Sequence, residues 1–568
     1  MRIALATLCL AWLAAMGEVR AQSPGVPWPA TDALGRSLPV GAEASPPRPD
    51  RTVAIFYFLW HDWQGAKVYD LSRILAADHD ALKKPNSPLW GGYGVAHYWG
   101  EPLYGYYRSD DPWVLRRHAA LLADAGIDTL IFDATNAVTY RNTYMKLCEE
   151  FAAVRRAGGH TPQIAFMVNT AAGKTAETIY RDLYKPKLYS ELWFRWQGKP
   201  LMICDPKDVS PELRAFFTLR RAHWPFEMVN TADAWHWEAT YPQPYGYSGD
   251  PGKPEQVNVA VAQNLRISDG KATCMSDGNA RGRSFHDGRE DTSPGAIDRG
   301  LNFQEQWRRA FALDPPVVMV TGWNEWVAGR FPDHGPLTFV DQFTEEYSRD
   351  IEPMHGGHGD NYYYQLVANV RRYKGAVPLP PASGAKTIHI EQGFDQWRDV
   401  GPEFAGHVGL TSPRDHAGAY GTHYTDRTGR NNLALMKVAR DEQNFYFYVR
   451  TAAPIVPATD AAGLWLLIDS DRNPRTGWAG YDFIVNREAG WLESNAGGWN
   501  WKKVAKVTCR IAGSEMHLAV PRAALGRPGT FDFKWVDNLQ RPGNVMDFYL
   551  SGDAAPPGRF NFRYSFER

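Results

Sequence analysis

Glu325 is the residue of this sequence best placed to do chemistry, because it ends an apolar run and lies within the cluster Trp323-Asn324-Glu325-Trp326. A carboxylate among aromatic rings can contact a sugar ring and protonate a glycosidic oxygen. The alternative is a strand-end glutamate that forms a salt bridge in a loop. Two tryptophans around one carboxylate favour the first interpretation. We expect Glu325 to be catalytic and Trp323, Asn324 and Trp326 to bind substrate.

Glycoside hydrolysis needs a second carboxyl group across the scissile bond, and two residues are candidates for it. Asp133 ends a predicted strand, and its alternative role is to hydrogen-bond a loop or a sugar hydroxyl. Glu238 follows Trp235-His236-Trp237, where rings would raise its pKa and suit an acid catalyst. Its alternative is a loop carboxylate outside the pocket. We expect both to be catalytic residues and favour Glu238 as the partner of Glu325.

Further substrate-binding residues are predicted among polar and aromatic side chains at strand ends and in the loops that follow them. They are Trp60, His61, His97, Trp99, Asn136, Asn169, Trp235 and Tyr245. No phosphate cradle or nucleotide fingerprint accompanies them. The run Asp469-Ser470-Asp471-Arg472-Asn473 lacks the glutamate that completes a calcium loop. We therefore expect neither a cofactor nor a metal ion.

The elements that must position these side chains alternate between apolar runs and helical patterns. Strands are predicted at 53–60, 128–133, 164–169, 200–205, 226–230, 257–262 and 317–321, with an eighth near 93–99. Predicted helices include 112–125, 144–156, 211–222, 303–313 and 361–374. Near-continuous apolar strands are typical of a parallel sheet that is buried on both faces. Because polar residues end nearly every strand, a closed (β/α)8 TIM barrel is favoured over a doubly wound sheet.

The pattern also divides the chain into segments. We expect a signal peptide at 1–21, an extended lead-in at 22–50, the catalytic barrel at 51–375 and a Pro-rich linker at 376–386. Beyond the linker the apolar period changes to two, which predicts a C-terminal antiparallel β-sandwich at 387–568. The fold class is thus α/β, with a second, all-β domain.

Composition restricts the function. The 568 residues carry a formal net charge of −1, which gives no support for nucleic-acid binding. No stretch after the signal peptide is apolar and long enough to span a membrane. Four cysteines follow residue 21, and buried free thiols are favoured over disulfides. A periplasmic or secreted protein with a polysaccharide or oligosaccharide as its partner is therefore expected.

The predicted barrel resembles the endo-α-1,2-mannosidase family of glycoside hydrolases (family 99). The resemblance lies in the segments 54–58, 126–133 and 322–326 and extends over roughly residues 51–375. In that family two glutamates three residues apart supply the chemistry. The first matches Glu325, and the second falls on Ala328. The C-terminal region is similar to carbohydrate-binding domains of family 9, in the segments 393–397, 467–471, 476–478 and 480–483.

Three functions remain open on these observations. The leading hypothesis is a glycoside hydrolase that cleaves a polysaccharide or complex glycan with paired carboxylates. A second is a non-catalytic glycan-binding protein that kept the barrel without a glutamate at position 328. A third is a polysaccharide lyase, which would use His61, His97 or Tyr98 as its base.

Overall fold

Eight parallel strands form the central sheet of the N-terminal region. The computed structural model describes residues 25–567, except 93, 228, 331–336, 408 and 457–462, so the predicted signal peptide lies outside the described residues. The strands are β1 Thr52–Tyr57, β2 Thr129–Ala134, β3 Gln163–Val168, β4 Lys199–Ile203, β5 Thr218–His223, β6 Ala234–His236, β7 Gln256–Ala260 and β8 Val317–Thr321.

These strands follow one another around a ring in chain order. β1 pairs with both β2 and β8, for example through Ala54 with Thr129 and Thr52 with Val317. Between β6 and β7 the side chain of Gln256 takes the place of a backbone ladder. Its Oε1 accepts from the His236 N–H at 2.8 Å, and its Nε2 donates to the His236 carbonyl at 2.9 Å. The predicted parallel barrel is thereby confirmed, with one seam joined by a side chain.

Side chains alternate between the inside and the outside of this ring, as the strand period requires. Along β1, Ala54 and Phe56 pack with Ile131, Met167 and Met319 in an inner cluster. The intervening Val53 and Ile55 belong to a larger cluster that includes residues of the surrounding helices. The apolar runs of the sequence are explained by this burial on both faces.

Helices and long loops surround the sheet. The helices are α1 Leu71–Ala77, α2 Pro112–Asp124, α3 Arg141–Arg156, α4 Ala172–Ile179, α5 Pro211–Phe216, α6 Ala296–Arg299, α7 Leu301–Leu313 and α8 Asn361–Lys374. α2 begins at Pro112 because the Asp111 side chain accepts from the Trp113 N–H at 3.0 Å. The described residues between β5 and β6, and between β6 and β7, contain no helix. Within the described part of the chain, no helix combines the length and apolar character that crossing a bilayer requires.

Short antiparallel pairs stiffen the loops around the barrel. They join His97–Tyr98 to Val327–Ala328, Arg195–Trp196 to β4, Gln263–Arg266 to Ala280–Arg281, and Phe285–His286 to Arg289–Glu290. The predicted eighth strand near 93–99 is therefore wrong as a barrel strand. His97 and Tyr98 pair with residues that follow Glu325, which brings the β1–β2 loop over the C-terminal end of β8.

Two further predictions fail in the middle of the barrel. The predicted helix 211–222 stops at Phe216, and β5 begins at Thr218. This strand is not a continuous apolar run, because it contains the buried Arg220. Its guanidinium is neutralised by Glu255, with Nη2 and Oε1 2.7 Å apart. The predicted strand 226–230 is wrong, because its described residues 226, 227, 229 and 230 are loop, in which Phe226 and Val229 are exposed.

The C-terminal region consists of two antiparallel sheets. The first has strands Phe404–Ala405, Leu433–Arg440, Asn444–Thr451, Glu515–Pro521 and Thr508–Ala512 in spatial order. The second has Trp501–Lys506, Trp491–Asn495, Phe483–Val485, Leu464–Asp469, Thr530–Asp537 and Asp553–Ala555, with Phe562–Ser565 beside Thr530–Asp537. A hairpin (Arg414–Ala417 with His423–Asp426) and the helix α9 Asp547–Leu550 complete the region. Phe447 and Phe533 meet between the sheets at 5.8 Å, which is compatible with the predicted β-sandwich.

The two regions share buried polar contacts. Arg414 donates to Asp111 at the start of α2 at 2.8 Å, and the Tyr364 and Tyr549 hydroxyls are 2.9 Å apart. The predicted extended lead-in lies against both regions, because Val26 donates to the Asp124 carbonyl and Asn561 donates to the Pro29 carbonyl. These contacts hold the barrel and the two sheets together.

Candidate active site

A cleft of about 760 Å³ lies at the C-terminal ends of the barrel strands. Its aromatic lining comes from Phe56, Phe58, Trp60, Trp63, Trp224, Phe226 and Trp237. Its polar lining comes from Asp133, Thr135, Asn136, Asn169, Asn264, Glu325, Arg330, Asp341 and Arg349. Catalytic groups of (β/α)8 barrels are placed at this end of the sheet, and apolar walls with a few convergent polar groups are typical of ligand sites.

Glu325 is fixed from several directions. Its Oε2 accepts from Arg349 Nη2 at 2.9 Å and from Gln342 Nε2 at 2.5 Å. Its backbone N–H donates to Asp350 Oδ1 at 2.6 Å. Burial raises the pKa of Glu325 well above its usual value, a larger effect than the opposing one of Arg349. Burial of this kind favours the protonated carboxyl, which is the form that can donate a proton.

Asn324 extends the pairing of β1 and β8 beyond the ends of both strands. Its side-chain Oδ1 accepts from the Phe58 N–H at 2.8 Å, and its Nδ2 donates to the Phe58 carbonyl at 3.1 Å. Just before it, the Trp323 N–H donates to the Phe56 carbonyl at 2.9 Å. The segment is thus locked to β1, which fixes the position of Glu325.

Two stacked indoles support Glu325 from beneath. Trp99 and Trp326 lie 4.6 Å apart with an interplanar angle of 17°. Trp99 Nε1 donates to Asp350 Oδ2 at 3.0 Å, and Trp326 Nε1 donates to Glu352 Oε2 at 2.6 Å. Burial raises the pKa of Asp350 to about 6. The tryptophans around Glu325 therefore belong to its scaffold.

Arg349 connects the carboxylates of the site. It is buried, and its Nη1 lies 3.4 Å from Glu238 Oε2 while its Nη2 contacts Glu325. The guanidinium also lies over the Trp237 ring, 4.6 Å from the centroid. These contacts hold the Glu238 and Glu325 oxygens within roughly 9 Å of each other, inside the range of glycosidase carboxylate pairs.

Asp341 is a third carboxylate at Arg349. Its Oδ1 lies 3.7 Å from Arg349 Nη2 and accepts from Asn264 Nδ2 at 3.3 Å. The side chain lines the cleft and is 43% exposed. Glu238, in contrast, is fully buried and does not line the cleft. Asp341 is thus accessible from the cleft, whereas Glu238 is covered by other side chains.

One guanidinium thus faces three carboxyl groups, of which those of Glu238 and Glu325 are buried and that of Asp341 is partly exposed. Because a single positive charge cannot neutralise two buried negative charges, the site favours a proton on one of the two buried carboxyls. Burial raises the pKa of Glu238 to about 7, and Arg349 opposes this shift. Asp133 also lines the cleft, where burial raises its pKa against two hydrogen bonds from Thr135. The arrangement can therefore present both a proton donor and an ionised carboxylate.

The structure brings together only part of the predicted site. Glu325, Asp133, Trp60, Asn136 and Asn169 line the cleft. The other predicted substrate-binding residues lie outside it: His61, His97, Trp99, Trp235, Tyr245, Trp323, Asn324 and Trp326. All of these except Tyr245 are buried in the core, where neighbouring rings and backbone groups surround them. Tyr245 is half-buried, and its hydroxyl donates to the Pro251 carbonyl at 3.0 Å.

Several residues that line the cleft are not among those predicted from the sequence. Arg349 and Asp341 follow β8 in a long loop without periodicity, and no local motif marks them. Trp224 and Phe226 lie in a segment that was predicted as a strand. Trp237 could have been predicted from its position two residues after Trp235, since alternate residues of a strand share a face.

The candidate lyase bases do not face the cleft. His61, His97 and Tyr98 are buried. Burial lowers the pKa of His61 to about 3 and of His97 to about 4, and raises that of Tyr98 well above its usual value. A general base must lie within hydrogen-bond reach of the proton that it takes, and none of these three groups lines the cleft.

A separate acidic group lies in the second C-terminal sheet. One carboxylate oxygen each of Asp469, Asp471 and Asp482 lie within 4.8 Å of one another. Burial, and next the nearby Asp532, raise the pKa of Asp469 to about 8. Asp469 and Asp471 belong to the run that lacks the glutamate of a calcium loop, and together with Asp482 their carboxylates are close enough to contact one cation.

Comparisons with known proteins give distant likenesses only. No family model and no curated protein match this sequence. Two solved structures that this chain resembles are of the GH99 endo-alpha-mannosidase from Bacteroides thetaiotaomicron. The complex with BIS-TRIS-propane is 14% identical with a TM-score of 0.34, over 56% of this chain and 97% of that one. The other structure is 14% identical with a TM-score of 0.33, over 57% and 97% of the chains.

Proposed function

We propose that this protein is a glycoside hydrolase in which Glu325 protonates the glycosidic oxygen. The observation that carries the proposal is the position of Glu325 in a cleft with aromatic walls, where burial raises the pKa of its carboxyl. A neutral acid can give its proton to a leaving oxygen at neutral pH. Aromatic faces such as those of Trp60 and Trp224 offer stacking surfaces for sugar rings.

The substrate class follows from the lining of the cleft. Exposed Trp63 and Phe226, together with Asn136 and Asn169, offer rings and amide groups of the kind that bind sugar faces and hydroxyls. A volume of about 760 Å³ has room for several sugar rings. We therefore propose a polysaccharide or a complex glycan as the substrate, with no cofactor in the reaction.

The remaining parts of the chain fit this role. We propose that 1–21 directs the protein to the periplasm or outside the cell, that 51–375 is the catalytic domain, and that 376–386 links it to a carbohydrate-binding-like sandwich at 387–568. The buried contacts of Arg414 and Tyr549 with the barrel support an integral rather than a loosely tethered second domain.

A panel of polysaccharides and aryl glycosides tests the proposal, assayed for released reducing sugar and for absorbance of an unsaturated uronate. We expect reducing sugar without the uronate signal, lost in Glu325→Gln. Binding of a glycan without turnover would contradict the proposal and support the glycan-binding function instead. The alanine at position 328 is the sequence feature that favours that function. Absorbance of an unsaturated uronate would contradict the hydrolase proposal and support a polysaccharide lyase.

A further inference from the structure

We propose that Asp341 is the second carboxylate of the reaction and forms the covalent bond to the sugar. This inference rests on the proposed function and makes it specific. It assigns the role to a residue after β8 that no sequence motif marks. The observation behind it is that Asp341 and Glu325 contact the same nitrogen of Arg349 from the side of the cleft.

The distances limit the separation of the two carboxylates. Arg349 Nη2 lies 2.9 Å from Glu325 Oε2 and 3.7 Å from Asp341 Oδ1. The two oxygens are therefore no more than about 7 Å apart. Retaining glycosidases place their carboxyl groups about 5–5.5 Å apart, and inverting ones about 6.5–9.5 Å. This limit excludes most of the inverting range and is compatible with the separation of a retaining pair.

Access separates Asp341 from the other two candidates. Glu238 is fully buried behind Arg349 and reaches Glu325 only through that side chain. Asp133 lines the cleft, but its hydrogen bonds come from Thr135 on its own loop. Asp341 is 43% exposed and is held by Asn264 and Arg349 through one oxygen. Attack on carbon needs a carboxylate that substrate can reach, and the exposed side chain of Asp341 in the cleft meets this condition.

The reaction then has two balanced steps. In the first step, an Asp341 oxygen bonds to the anomeric carbon as the bond from that carbon to the leaving oxygen breaks. The leaving oxygen keeps the electron pair of the broken bond and receives a proton from Glu325. In the second, a water oxygen bonds to the same carbon, Glu325 takes the proton of that water, and the bond to Asp341 breaks with its electrons returning to the carboxylate. The anomeric configuration is retained. Glu238 acts as a positioning residue through Arg349.

Covalent trapping tests the assignment without relying on turnover. The wild-type protein is incubated with the 2-deoxy-2-fluoroglycosyl fluoride of the sugar it releases fastest from the panel, digested and analysed by mass spectrometry. We expect one added glycosyl group on the peptide that contains Asp341. A label on Asp133, on Glu238 or on no peptide overturns the inference.

Variants give a second, independent test on the 2,4-dinitrophenyl glycoside of the same sugar. We expect Asp341→Ala to lose at least about 10²-fold in kcat/KM and to regain turnover with azide, giving a glycosyl azide of opposite anomeric configuration to the substrate. Asp62→Ala, an exposed aspartate outside the cleft, is the matched control and should stay within about twofold. Asp341→Asn, with its unfolding temperature measured, checks that the loss is not a folding failure.

The outcomes separate the two proposals. If wild type hydrolyses a glycoside and Asp341→Ala stays within tenfold of it, the role of Asp341 is wrong and the hydrolase function stands. If azide gives a product of unchanged configuration, Asp341 acts as an acid–base group and the inference fails. If wild type cleaves no glycoside in the panel, both proposals fall together.

Discussion

Two sets of tryptophans surround Glu325, and they have opposite relations to the cleft. Trp99, Trp323 and Trp326 lie close to Glu325 in sequence or in hydrogen bonding, and all are fully buried. Trp60, Trp63, Trp224 and Trp237 come from distant loops and line the space in front of the carboxylate. Rings adjacent to Glu325 in sequence thus serve to orient it, while rings from other parts of the chain form the surface of the cleft.

Removing a scaffold ring should give the largest change in stability. In Trp326→Ala, a buried indole is lost and Glu352 is left without one of its donors. We expect a loss of about 3–5 kcal/mol, measured as a shift of the urea midpoint of unfolding. Trp63→Ala, which removes a ring that is 36% exposed at the cleft, should change the free energy of unfolding by less than about 1 kcal/mol. Equal shifts in the two variants would break the distinction between the two sets.

The buried carboxyl behind Arg349 should make stability depend on pH. The pKa of Glu238 is about 7 in the folded protein and about 4.5 when unperturbed, so the folded state holds a proton that the unfolded state has released between these values. Stability therefore falls as pH rises from about 4.5 to about 7, by up to about 1.4 kcal/mol per pH unit.

Glu238→Gln removes this titration, and its stability should fall less over the same range. The measurement is the urea midpoint at pH 4.5, 5.5, 6.5 and 7.5 in wild type and variant. Glu177→Gln, an exposed glutamate of α4, is the control and should follow wild type. Parallel curves for wild type and Glu238→Gln would show that Glu238 does not titrate in this range.

Removing a cleft ring should affect substrate binding more than folding. Trp224 stacks with Phe226 at 6.5 Å and 8°, and its Nε1 donates to Asn169 Oδ1 at 3.2 Å. We expect Trp224→Ala to raise KM about fivefold, which corresponds to the ~1 kcal/mol of an aromatic contact, with kcat within about threefold. Phe311→Ala removes a partly exposed ring of α7 that does not line the cleft and should leave KM unchanged. An unchanged KM in Trp224→Ala would remove this ring from the substrate surface.

Strands that are apolar along their length could be predicted from the sequence, and others could not. β1, β2, β3 and β8 are continuous apolar runs, and their bounds agree with the predictions to within a few residues. β5 carries Arg220, whose charge is neutralised by Glu255 from a different segment. Such a strand has no local signature, because the compensating residue is 35 positions away.

The candidate site shows the same limit. Glu325 could be selected as a candidate because it comes soon after the apolar run of β8, and Asp133 because it lies near the end of the apolar run of β2. Asp341 and Arg349 lie in the loop between β8 and α8, where only the folded chain brings them to Glu325. The burial of Trp323 and Trp326 could not be predicted from the sequence. Trp326 is covered by Trp99, which lies in the β1–β2 loop and is distant in sequence.

The most direct test of the central claim is the dependence of Glu325→Ala on the leaving group. The measurement is kcat/KM of wild type and variant on 4-methylumbelliferyl and 2,4-dinitrophenyl glycosides of the same sugar. If Glu325 protonates the leaving oxygen, the variant should lose at least about 10²-fold on the first substrate and less than about tenfold on the second, which departs without a proton. An equal loss on both substrates, or less than tenfold on both, would contradict the role of Glu325 as the acid.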